Sequence, residues 1–107
     1  MAGNNTPHKI RATMQQNVAL VKVLIRHPME TGRRRDTTTG KTIPRHFIRE
    51  LQCLLNGEPV LHADWSWGVA RNPYLSLRIL AARPGDRVLI RWSDNRSNSE
   101  AIETVVG

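Results

Sequence analysis

A single cysteine, Cys53, in 107 residues rules out an intramolecular disulfide and any zinc site built on several thiolates. A lone thiol survives in either redox environment, so the count says nothing about compartment. Apolar stretches of membrane-spanning length are missing, and the opening MAGNNTPHKIRATM has no apolar core of the kind an export signal needs. Taken alone, such a chain would stay in the cytoplasm and insert into no membrane. Lysine is scarce as well, with Lys9, Lys22 and Lys41 beside thirteen arginines. Against nine acidic residues this still gives a formal net charge of +7, which suggests an acidic or anionic partner without naming one. Internal repeats, low-complexity tracts and helical periodicity of useful length are also lacking.

What the sequence does have is alternation of period two. A chain of this size buries roughly two-thirds of its unfolded surface, so residues 1–107 are read as one domain with one core. In HKIRATM, Ile10, Ala12 and Met14 share a face, with His8, Lys9 and Arg11 marking a wet end; residues 1–8 are expected to be a flexible N-terminus. NVALVKVLIR is rich in β-branched residues and apolar on both sides, as in a central strand. FIRELQCLL places Phe47, Leu51, Cys53 and Leu55 on one face and Ile48, Glu50, Gln52 and Leu54 on the other. Asn56-Gly57 then supplies a two-residue hairpin turn into PVLHA. YLSLRIL, the turn Ala82 to Asp86, RVLIRW with Val88, Ile90 and Trp92 inward, and AIETVV complete about seven strands. Turn signals about every ten residues favour an antiparallel two-sheet sandwich.

The stretch from Ile25 to Ile48, IRHPMETGRRRDTTTGKTIPRHFI, interrupts this pattern as a long polar loop or flap. Pro28 and Pro44 push His27 and Ile43 toward extended conformations, so neither end continues as helix. Arg33, Arg34, Arg35 and Lys41 give it a basic character that is either solvated or used to hold an anion or an acidic surface. Cys53 could serve as a persulfide carrier, but its alternation with Leu51 and Leu55 favours a core position. His8, His27, His46 and His62 lie on separate segments without HxH or HxxxH spacing, so no metal site is expected short of a convergence in three dimensions. Nucleic acid is the obvious rival partner for so basic a chain. Trp65, Trp67 and Trp92 do not interleave with the arginines as a stacking platform would, and no nucleic-acid motif is present, so none is expected to bind. Trp65, Trp67, Asn72 and Tyr74, in and after the irregular DWSWGVARNP segment, are candidates for a partner interface, aromatic residues being common anchors there.

HPMETGRRRDTTTGKTIPRHFI, followed by ADWSWGVARNPYLS and then by Gly85-Asp86 leading to WSDN, resembles the SoxZ family, the smaller subunit of the sulfur-oxidising (Sox) carrier heterodimer. The resemblance runs from Ile10 to about Asn95. It implies an immunoglobulin-like sandwich, itself not an enzyme and without a cofactor. It implies binding to a SoxY subunit whose C-terminal cysteine arm carries the sulfur intermediate, with transient docking to SoxAX, SoxB and SoxCD. It also implies a periplasmic location, reached by export together with the partner. The end ETVVG has neither a terminal cysteine nor tandem glycines, so the chain is expected not to be the arm-bearing subunit. His27 and His46 fall in the flanking motifs of the flap. With Met29 and Arg33, Arg34 and Arg35 they form the candidate docking flap, the two histidines being expected to hydrogen-bond its ends to the sandwich. One departure is that SDNRSNS lacks the glycine expected soon after Asp94-Asn95. The alternatives are an autonomous sulfur-transfer protein using Cys53, or a basic β-domain binding anions or nucleic acid.

Overall fold

Alternating apolar and polar residues put one face of a strand against a core and the other in water. Seven such runs form β1 (Lys9–Gln15), β2 (Val18–Leu24), β3 (Ile48–Leu55), β4 (Glu58–Asp64), β5 (Tyr74–Ile79), β6 (Arg87–Asp94) and β7 (Ser99–Val105). The computed structural model describes residues 7–107, and no helix occurs among them. All strand pairs are antiparallel, in a three-stranded sheet ordered β1-β2-β5 and a four-stranded sheet ordered β4-β3-β6-β7. Ala12, Ala19, Val21, Val23 and Ile25 from one sheet meet Ile48, Leu51, Cys53, Val88, Ile90, Trp92 and Ile102 from the other. The result is the expected all-β, immunoglobulin-like sandwich. Each aliphatic side chain removed from water there contributes about 1.5–3 kcal/mol.

The Asn56-Gly57 turn has positive φ at both residues, 50° and 86°, as a type I′ hairpin demands. β4 pairs with β3 and not with β5, whereas in constant-type immunoglobulin domains the fourth strand lies beside the fifth. β5 is therefore an edge strand.

Three expectations are corrected. Strict alternation put Phe47 on the core face and Ile48 outside, but the β3–β6 register shifts between Ile48 and Glu50, and Ile48 is fully buried. A bulge adds a residue without a partner and so swaps faces, which a period-two count cannot detect. β2 is central, but only the side carrying Ala19, Val21 and Val23 is buried; Lys22 is exposed and Val18, Leu20 and Leu24 are half-buried. His8 is not at a wet end. It packs edge-on to Trp92 with ring centroids 4.7 Å apart, and its Nδ1 accepts from the Arg26 N–H at 3.0 Å. Apart from Pro7 and His8, the segment read as a flexible N-terminus lies outside the described residues.

The flap leaves β2 and returns as a narrow antiparallel ladder, bridged at Glu30 and His46 and again at Arg35 and Thr42. Its tip is a tight turn in which the Gly40 N–H donates to the Asp36 carbonyl at 2.8 Å and the Thr38 N–H to the Asp36 carboxylate at 2.8 Å. The expected flap is thus a paired arm rather than an open loop.

Candidate partner-docking site

The three motif segments meet at Asp94, the last residue of β6. Its Oδ1 accepts the N–H groups of Arg96 and Asn98, both at 2.9 Å, and its Oδ2 accepts from His46 Nε2 at 2.8 Å and the Asn98 amide at 3.3 Å. His27 Nε2 points at the same oxygen from 3.6 Å, and the two imidazole rings pack edge to face with centroids 4.4 Å apart. Asn95 extends the tie, pairing with the Phe47 backbone in both directions and donating to the Arg45 carbonyl at 3.0 Å. His46 does hydrogen-bond its end of the flap to the sandwich, but the His27 ring does not: its buried Nε2 has no hydrogen-bond partner among the described residues, and that end of the flap is held by the His27 backbone on Asn72. Asp94, the carboxylate that both rings face, was not singled out in the sequence, since nothing in the spacing of WSDN shows which strand end meets the flap.

His27, His46 and Asp94 present ligand atoms close enough together for a cation, which raises the question of a metal. The hydrogen bonding decides against it. The Met29 N–H donates to His27 Nδ1 at 3.1 Å, so the neutral ring carries its proton on Nε2. Metal-bound histidines donate from the other ring nitrogen, and ligation by Nε2 here would require an imidazolate. The cluster is a clasp in which two N–H donors face one carboxylate. Burial, then the neighbouring His46, lowers the His27 pKa below 6.5 against the pull of Asp94. Burial by itself would raise the Asp94 carboxyl, but its hydrogen bonds to Asn98, His46 and Arg96 outweigh that and bring it down to about 2. His62 lies near Glu50 and Asp64 in a second acidic group, fully at the surface.

The clasp also brings the flap against the irregular segment after β4. Asn72 adopts φ +50° and is bound on both sides: its Oδ1 accepts the His27 N–H and its own N–H donates to the His27 carbonyl, each at 2.9 Å. Trp67 stays exposed but is held by Phe47, edge-on at 5.6 Å, and by the Arg45 guanidinium 4.1 Å above its ring. A cleft of about 510 Å³ separates the two segments, lined by Met29, Thr31, Arg33, Trp67 and Arg71 among others. Arg33, Arg35, Lys41, Arg45, Arg71 and Arg96 are exposed around this end. The Arg33-Arg34-Arg35 run is not uniform, because Arg34 is committed to a two-pronged ion pair with Glu30. That pairing holds the Glu30 carboxyl below the usual carboxylate range.

The remaining sequence candidates separate. Met29 is buried with φ +49°, its Sδ accepting from the Ile48 N–H at 3.4 Å. Trp65 is half-buried and packs against the core, while Tyr74 is exposed at the start of β5, paired with Leu24 beside the base of the flap. Cys53 is fully buried, and burial pushes its thiol up to about 11, which leaves almost no thiolate at neutral pH. Arg45, Arg71 and Arg96 were missed in the sequence because they are scattered singly along it and share an end only after folding. Ser97 takes φ +64° in the turn where a glycine was expected, with Asp94 anchoring both sides of it.

A comparison with curated proteins gave no match. The model of the family described as sulphur oxidation protein SoxZ matches residues 9–105, nearly the whole chain and all the segments joined at Asp94. The protein belongs to the SoxZ family, whose place is in the Sox sulfur-oxidation system.

Proposed function

We propose that this chain is the non-catalytic half of a sulfur-carrier heterodimer: it binds a SoxY-type subunit, helps present that subunit's C-terminal cysteine arm to SoxAX, SoxB and SoxCD, and works in the periplasm after export with its partner. The observation that carries the proposal is the division of labour between Cys53 and the flap end. The one thiol is inside the core with its pKa raised to about 11, unsuited to carry sulfur itself. The residues of the family motifs are spent on fixing the shape of a basic end, with Asp94 hydrogen-bonded to His46 and facing the His27 ring. A fixed array of arginines speeds encounter with acidic partners and sets their orientation, which is what a supporting subunit contributes when the chemistry resides elsewhere. Co-production with a SoxY-type subunit, followed by native mass spectrometry, tests this. A 1:1 complex is expected; a strictly monomeric product under the same conditions overturns it.

A further inference from the structure

One seam of the sandwich is closed and the other is open. At the β1/β7 seam the Met14 N–H donates to the Gly107 carbonyl and the Gly107 N–H to the Ala12 carbonyl, both at 3.0 Å. At the opposite seam β4 lies in the other sheet, so no strand of the described residues takes the position beside β5 that a fourth strand fills in constant-type domains. A cleft of about 310 Å³ runs there, lined by Cys53, Val60, Leu61, Leu77, Ile79 and Leu80 among others. Leu61 stands opposite Cys53 in the ladder and so faces inward, yet it is 37% exposed, and Leu80 is 77% exposed.

The two rims differ. β4 carries Glu58, Pro59 and Asp64 and a register shift opposite Cys53 and Leu54, all features that discourage strand addition. β5 has no proline, no acidic residue and an unbroken register with β2. The Ile25 N–H to Pro73 carbonyl bond sets the phase of that ladder. Leu75 and Leu77 therefore bond toward β2, and Tyr74, Ser76 and Arg78 turn their backbone N–H and C=O groups to the open side.

We propose that β5 is the docking edge for one strand of the carrier subunit. That strand extends the three-stranded sheet and lays apolar side chains into the cleft over Leu61 and Leu80. The inference rests on the heterodimer proposed above. A second copy of this chain is the poorer occupant, since two chains of +7 repel each other. A partner strand bearing an acidic residue instead meets Arg78, which is in no ion pair among the described residues.

The test is amide hydrogen exchange on the chain alone and in complex, together with affinities of Ser76→Pro and Leu80→Glu for the co-produced partner. Ser76→Pro removes an outward N–H without breaking a bond to β2, so the fold tolerates it. Expected are new protection at Ser76 and Arg78 in the complex and a loss of affinity of at least about ten-fold for each variant. Should Ser76→Pro fail to fold, Leu80→Glu and the exchange data decide. A wild-type complex with β5 amides unprotected and Leu80→Glu binding at full strength overturns the docking edge while leaving the heterodimer standing. Protection of β5 in the isolated chain, with a dimer mass, overturns the heterologous strand in favour of self-pairing. No complex at all overturns both.

Discussion

Replacing Asp94 by asparagine keeps the shape of the clasp and removes its charge. The backbone N–H groups of Arg96 and Asn98 can still find an oxygen, but an amide N–H₂ then faces the Nε2–H of His46, 2.8 Å from the present acceptor, and that of His27. The drop of the Asp94 pKa from 3.8 to about 2 is worth about 2 kcal/mol at about 1.4 kcal/mol per pH unit. For a domain of this size that corresponds to a fall in Tm of about 10 °C. A depressed carboxyl stabilises the fold above its unfolded pKa, and the contribution is lost as pH falls through the folded value. Urea unfolding of wild type and Asp94→Asn at a series of pH values should therefore show a gap of about 2 kcal/mol at pH 7 that closes between pH 3.8 and about 2. A gap that stays constant with pH, or is absent at pH 7, would refute the clasp as the source of stability.

The lowered pKa of His27 gives a second slope: stability should begin to fall as pH drops below 6.5, because the unfolded state takes up the proton first, and His27→Gln should flatten that part of the profile. Ser97→Gly should stabilise the fold by about 1 kcal/mol, since the present side chain occupies a left-handed conformation at φ +64°; thermal unfolding checks it. Cys53 should resist alkylation by iodoacetamide in the native protein and react only after denaturation, whereas rapid native labelling would contradict a core position. Arg33→Glu with Arg35→Glu should leave Tm unchanged and slow association with an acidic partner by about ten-fold at low salt, the difference fading as salt rises; stopped-flow kinetics measure it.

The strands were legible because β-branched runs such as Val18 to Ile25 mark extended chain and alternations such as Leu75, Leu77 and Ile79 mark a face, although the first run, apolar on both sides, did not show which side is buried. The bulge at Ile48 was not, since one inserted residue leaves no compositional mark and yet exchanges Phe47 for Ile48 in the core. The flap was legible as an interruption from its prolines, glycines and charge. Its paired arms were hidden because the Glu30–His46 bridge depends on register rather than on residue type. His27 and His46 could be tied to the ends of the flap from their motifs, but the acid that joins them lies 48 residues beyond His46 and is brought there only by the pairing of β3 with β6. Asn72 was singled out as an interface residue, and its structural role at φ +50° became visible only when His27 was placed on both of its hydrogen bonds. The Asn56-Gly57 hairpin made the pairing of PVLHA with β3 legible, but the open β5 edge was hidden, because nothing local says whether YLSLRI adds to the free side of PVLHA or pairs with β2.

The central claim is that sulfur rides on the partner and this chain only supports it. Intact-mass measurement of both subunits of the reconstituted pair after incubation with thiosulfate and the Sox enzymes tests it most directly. The account predicts added sulfur mass on the partner and none on this chain, unchanged by Cys53→Ala; sulfur mass on Cys53, or loss of turnover in that variant with the pair intact, would contradict it.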